Sequence, residues 1–366
     1  MERARLLIEQ AEALGEAPED PLLLFSVLYF LWVEKLVAFN GDVVRELAVQ
    51  FLALAEKQTA TAPLMIGHRL MGLSLLHTGD IVEGRAHLDR AMSCYDPTEH
   101  RHLAARFGQD VGVAILSWKS LALWLLGYPE AALADTDYAL KVARQIGDAA
   151  TLMYALTFLP WTHIHCGNYT TAGAQADEDV ALAEEKGIVL WKGFGMMNQS
   201  QLLTLTNRAS DAVQIITSAM AALRSTGTTM WMPLWLSYLT KDYAELGQFD
   251  DAWRCIGEAM TTVETTKEKW CEAEIHRTAG EIALMSPAPD TAKAKAYFER
   301  ALAVARDQQA KSWELRAAMS MARLWRSQGK PQQARELLAP VYGWFTEGFD
   351  TLDLKEAKAL LDELAT

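Results

Sequence analysis

A chain of 366 residues, 51% of them hydrophobic, has ample apolar surface to bury and exceeds the usual size of one compact core. A net charge of −13 and a pI of about 5.1 disfavour duplex nucleic acid and anionic membrane as partners, because both attract clustered Lys and Arg. Four scattered cysteines (Cys94, Cys166, Cys255, Cys271) without a CxxC pair read as free thiols of a reducing, cytoplasmic compartment, and the charged start MERARLLIEQAEALG is not a secretory signal.

Residues 2–14 place Leu6, Leu7, Gln10, Ala11 and Leu14 on helical spacing, and Gly15 stops the run. Residues 1–15 thus read as an orphan second helix, which implies the C-terminal part of a longer protein; a plain N-terminal cap helix is the alternative. The apolar run Leu22 to Val33 is 12 residues long, too short for a bilayer and suited to a buried helix. From there the chain reads as helix pairs: Leu22–Phe39 with Val43–Lys57, then Leu64–His77 with Ile81–Met92. An insertion over 93–112 follows. Six more pairs run Val113–Leu126 with Pro129–Ile146, Ala149–Cys166 with Thr170–Lys186, and Leu190–Thr206 with Ser210–Ser225. The last three are Met230–Leu246 with Asp250–Thr265, Lys269–Met285 with Thr291–Gln308, and Lys311–Gln328 with Pro331–Tyr342. Residues 343–366 read as a charged amphipathic cap on the stack. With no strand pattern and no linker composition, 1–366 is expected to form a single superhelical domain.

The corner between paired helices carries a recurring phrase, clearest in Leu246-Gly247-Gln248-Phe249-Asp250-Asp251-Ala252. Gly ends the first helix in a conformation with φ > 0, and carboxylates open the second at the positive end of its dipole. Taking Gly41, Gly79, Gly127, Gly167, Asn207, Gly247, Ala288 and Gly329 as marks gives intervals of 38, 48, 40, 40, 40, 41 and 41 residues. A fixed period with a helix pair per unit predicts an all-α, right-handed solenoid of about eight helix pairs.

The phrase resembles the tetratricopeptide (TPR) motif, best over Asp242–Met260, Ala122–Leu140 and Met321–Leu338. The longer period is similar to solenoids of bacterial regulators related to the maltose regulator. Two blocks narrow the likeness: Arg101–Pro129, and Gln309–Ser320 together with Leu337–Thr351. They resemble the C-terminal TPR region of large bacterial proteins that carry a class III adenylate/guanylate cyclase domain and a STAND-type ATPase ahead of the repeats. The resemblance implies a sensing or partner-binding region that signals to upstream domains of the same polypeptide.

No GxxxxGK[ST] loop, nucleophile elbow, zincin helix or dinucleotide turn occurs, so no enzyme activity and no cofactor is expected. His163-Ile164-His165 does not place both rings on one helical face, and no metal site is assigned. Polar and aromatic residues on the first helices that escape the core stripe form the candidate groove: His68, Arg69, Lys119, Asn198, Gln201, Tyr238, Lys241 and Arg277. The insertion is a candidate ligand loop through His102, Gly108, Asp110 and Gly112; Asp110 as a plain helix cap is the other reading. Trp191, Trp231, Trp270 and Trp313 recur at the start of the first helices of units 5 to 8. They read as inter-repeat packing in preference to a peptide-gripping ladder, because each Trp buries about 150–250 Å². The expected function is non-catalytic binding of a protein, peptide or small effector. A scaffold for self-association or complex assembly is the alternative.

Overall fold

The computed structural model describes residues 23–365. The expected helix over 2–14 lies outside them. The described residues are helical with no strand, and no helix among them is long and apolar enough to cross a membrane.

Among the described residues, eight antiparallel pairs follow one another. Unit 1 joins Leu23–Val37 to Gly41–Ala55, unit 2 joins Thr61–Thr78 to Ile81–Ser93, and unit 3 joins Val111–Leu125 to Pro129–Ile146. The first helix of unit 4 is split into Ala149–Phe158 and Pro160–His165 before Tyr169–Lys186, because Pro160 has no N–H to continue the ladder. Units 5 to 8 join Val189–Leu205 to Ala209–Ser225, Met232–Glu245 to Phe249–Thr266, Glu272–Met285 to Thr291–Asp307, and Lys311–Ser327 to Pro331–Tyr342. A last helix, Leu352–Glu363, buries Leu354, Ala357 and Leu360 in a cluster with Leu338, Val341 and Phe345 of the preceding segment.

The corners repeat to the hydrogen bond. In seven units the N–H of the residue that caps the second helix donates to the carbonyl five residues back, as in Asp80 to Leu75 (3.0 Å), Gln248 to Tyr243 (2.8 Å) and Lys330 to Trp325 (2.9 Å). Unit 7 differs: Asp290 reaches back to Ala283 (2.9 Å), which makes its Pro-rich corner two residues longer. Counted on the caps Asn40, Asp80, Tyr128, Asn168, Arg208, Gln248, Asp290 and Lys330, the intervals are 40, 48, 40, 40, 40, 42 and 40. Gly41 is therefore not a corner. It is the first residue of its helix, and Phe39 stands where the other units place Gly79 or Gly127. Eight of the surplus residues belong to the excursion, which folds as Pro97–His100, a 3-10 turn at Arg101–Leu103, and Ala104–Phe107.

The stack winds tightly enough for unit n to touch unit n + 5. The Val37 carbonyl ends the first helix of unit 1 and accepts from the N–H groups of Thr229 (3.0 Å) and Met230 (3.1 Å), at the threshold of unit 6. His77 does the same for Lys269 (2.8 Å) and Trp270 (3.3 Å) of unit 7. Trp124 accepts from the Ser312 hydroxyl of unit 8, and Cys166 from the Leu352 N–H (3.3 Å) of the last helix. The Val37, His77 and Cys166 carbonyls are orphans that a helix C-terminus leaves over, whereas Trp124 also accepts from the Gly127 N–H (3.0 Å) of its own corner. The next turn of the superhelix satisfies them.

The same seam buries the tryptophans. Trp231, Trp270 and Trp313 are at most 2% exposed. They pack across the turn: Trp231 stacks on Trp118 (5.6 Å between centroids), Trp270 on Trp161 (5.7 Å), and Trp313 meets Trp124 edge-on (4.8 Å). The packing is inter-repeat, as expected, and it runs both between turns and between neighbours: Trp231 also meets Phe194 (5.1 Å), and Trp313 Nε1 donates to the Trp270 carbonyl (3.0 Å). Trp191 is only half-buried and sits beside Tyr154 and Phe158.

Candidate functional site

Position along the first helices decides what fills the superhelix axis. Seven residues before the cap of the second helix stand Leu73, Leu121 and Trp161 in units 2 to 4, then Gln201 and Lys241 in units 5 and 6. Allowing for the two extra corner residues of unit 7, Glu281 and Arg323 hold that place in units 7 and 8. Fourteen residues before the cap, Ile66, Ala114, Tyr154, Phe194 and Leu234 give way to Glu274 and Arg316. The register is mostly apolar in units 2 to 4 and turns charged in units 7 and 8.

The polar end holds a cavity of about 270 Å³. Its wall comes from the first helices of units 4 to 8, the first residue of unit 4's second helix, and the last helix. Arg277 makes a two-point contact with Glu274 (Nε–Oε2 2.7 Å, Nη2–Oε1 2.6 Å) and also pairs with Glu281. Arg316 donates to Asp353 (2.8 Å) and to the His165 carbonyl (3.2 Å), with its guanidinium 5.1 Å from the Trp124 ring. Arg323 at the rim donates to Glu356 (2.8 Å). Tyr169, Ser237, Tyr238, Lys241 and Thr278 complete the polar lining.

Burial and charge act against each other here. Burial raises the Glu274 carboxyl, but the Arg277 charge and its hydrogen bonds outweigh this and hold it below the usual range. For Asp353 burial wins over Arg316 and the carboxyl lies above its ordinary value. Burial and then the Arg316 charge push His165 well down, so it stands as a neutral ring stacked on Trp124 (4.1 Å). The arrangement can hold a polar, charge-bearing ligand by fixed donors and acceptors.

Of the groove candidates, Tyr238, Lys241 and Arg277 meet in this cavity. Gln201 lies one layer behind, donating to the Tyr238 hydroxyl. The others do not join them. His68 faces the second helix of its own unit, Nδ1 to Nδ1 of His87 at 3.0 Å. Arg69 is buried against the hydroxyls of Tyr29 and Tyr154 (both 3.4 Å). Lys119 sits between Asp89 and Asp135 (3.3 Å each). Asn198 accepts from Trp161 Nε1 (2.8 Å) and donates to the Thr157 carbonyl (2.8 Å).

In the excursion, His102 is exposed, whereas Asp110 is buried, accepting from the Val113 N–H (2.9 Å) and the Tyr95 hydroxyl (2.8 Å). Gly108 has φ +85°, and a Cβ on Gly112 would fall 2.5 Å from the Tyr95 ring. Sequence reasoning passed over Glu274, Arg316, Arg323 and Asp353. The signal for the first three was the register: apolar in units 2 to 4, charged in units 7 and 8.

No protein-family model matches the chain, and no curated protein matches it. Solved structures do. The chain is similar to a Rap protein complexed with Competence and Sporulation Factor, at 12% identity and TM-score 0.65, over 99% of this chain and 94% of that one. It is similar to the Rap conjugation gene regulator of plasmid pLS20 in complex with the Phr* peptide (9% identity, TM-score 0.53, 83% and 75% of the two chains). It is also similar to the apo form of the quorum sensor NprR from B. thuringiensis (12%, 0.52, 93% and 92%). At these identities the likeness shows the fold: a TPR-like helical solenoid.

Proposed function

We propose that this chain is a non-catalytic sensor module that binds an oligopeptide, or an extended protein segment, in the charged cavity at the inner wall. The observation that carries the reading is the cavity itself. Its lining charges come from three units and the last helix, so an occupant touches several elements whose relative positions are set by the winding. Two solenoids of the same fold are described in complex with a peptide or factor, which supports a ligand-binding role here.

The signal then travels by differential binding. A ligand that contacts units 4 to 8 and the last helix together favours the wound state over any looser one, by as much as its affinity differs between them. The blocks resembling cyclase–ATPase–TPR regulators support a bacterial context in which that shift gates an upstream ATPase and nucleotide cyclase of the same polypeptide.

Two measurements test this. Thermal melting of the chain with pooled hexapeptides should rise with pool concentration, and no shift with any pool would remove the peptide reading. In a full-length protein, deleting this region should change nucleotide turnover; unchanged turnover would remove the regulatory part.

A further inference from the structure

We propose, resting on the peptide reading above, that the cavity recognises a carboxylate and that Lys241 is the cation that receives it. The charges of the wall are matched with one exception. Arg277 has Glu274 and Glu281, Arg316 has Asp353, and Arg323 has Glu356. Lys241 lines the same cavity and makes no ion pair among the described residues.

Two hydroxyls stand with it. The Tyr169 hydroxyl makes no hydrogen bond among the described residues, and the Tyr238 hydroxyl accepts from Gln201 while its own proton has no acceptor there. An ammonium and two O–H donors form a set that a carboxylate's two oxygens can satisfy. With Glu281 counted, four cations face four carboxylates, so the cluster is balanced overall and only locally short of an anion. A monovalent carboxylate fits that shortage. A phosphate dianion would bring two negative charges into a site that already holds four.

The carboxylate has two possible sources, the C-terminus of a peptide or an Asp or Glu side chain. The test separates them. The full chain is incubated with three random hexapeptide pools: one free of Asp and Glu with a free C-terminus, the same pool amidated, and an amidated pool with one Glu. Retained peptides are read by mass spectrometry, for the wild type and for Lys241→Met and Lys241→Arg.

Retention of the free-acid pool but not its amide assigns a terminal carboxylate. Retention of the Glu pool alone assigns a side chain. In either case Lys241→Met should bind about tenfold more weakly or worse, and Lys241→Arg should keep binding. Lys241 has no close ion pair to lose, only a longer-range attraction to Glu274 and Asp242, so both variants should melt close to the wild type. Equal retention of the acid-free amidated pool, or full binding by Lys241→Met, overturns the inference and leaves the peptide reading standing. Retention of no pool overturns both.

Discussion

The corners at Gly79, Gly127 and Gly167 and those at Gly247 and Gly329 share one backbone turn but not one environment. A Cβ on Gly127 would lie 2.5 Å from the Trp344 ring and 2.9 Å from Lys311, and one on Gly167 would lie 2.7 Å from Leu352. Gly79 is similarly pressed against Gln308 (2.9 Å), and Phe39, in the same place in unit 1, is 2% exposed. Gly247 and Gly329 have nothing within 4 Å. The early corners are roofed by the following turn; the late ones are the free end of the winding. At these five glycines there are thus two separable requirements, backbone shape at all of them and lack of volume only where a second turn lies above.

The largest way to break that contrast is to empty the seam. Trp231→Ala removes a side chain stacked on Trp118 whose Nε1 donates to His77 (3.0 Å), and should cost about 3–5 kcal/mol in urea unfolding. Next come the corners themselves. Gly127→Ala meets both the left-handed backbone (φ +87°) and the roof, and should cost about 2–5 kcal/mol. Gly247→Ala meets the backbone alone (φ +75°) and should cost about 1–2 kcal/mol. Equal losses at the two glycines would mean that the turns do not touch in solution.

A further effect is spread over pH. Glu268 is fully buried in the seam, accepting from the Trp231 N–H (3.0 Å) and Trp270 Nε1 (3.2 Å), and burial, outweighing those bonds, raises its carboxyl to about 8. Between the ordinary glutamate range and about 8, the folded chain keeps a proton that the unfolded chain has released. Its stabilisation is complete at acid pH and is lost as pH rises through about 8. Asp179 and Asp242, each raised by burial to about 7, add to the same slope. His77 acts in the opposite sense: burial lowers it to about 4, so its contribution is lost as pH falls from the ordinary histidine range through that value. Glu268→Gln should therefore flatten the decline in melting temperature between pH 5 and 8, by up to about 1.4 kcal/mol per pH unit at its steepest. An unchanged slope would place the proton elsewhere.

What was legible in the sequence was local. Gly79, Gly127, Gly167 and Gly247 announce corners because a positive φ and a capping pattern are written within six residues of chain. Gly41 misled because it follows an Asn cap and opens a helix, while the true corner carries Phe39. The seam had no such local mark. It depends on pitch, the small rotation of each unit added over five, and no single residue states it. The cavity falls between these cases. Tyr238, Lys241 and Arg277 stood out as polar residues on first helices, but Arg316 and Asp353 acquire meaning only as a pair brought together from different elements.

An open solenoid unravels as a one-dimensional array, each repeat depending on its neighbours alone. This chain joins backbone groups roughly 190 residues apart, as Val37 is joined to Met230 and His77 to Trp270. Such contacts cannot be zipped from one end, since a long loop must close before any of them forms. The seam therefore converts repeat-by-repeat fraying into cooperative melting of the whole wound portion. It also makes assembly of that portion slow, because the late repeats must already be in place before the early ones are locked.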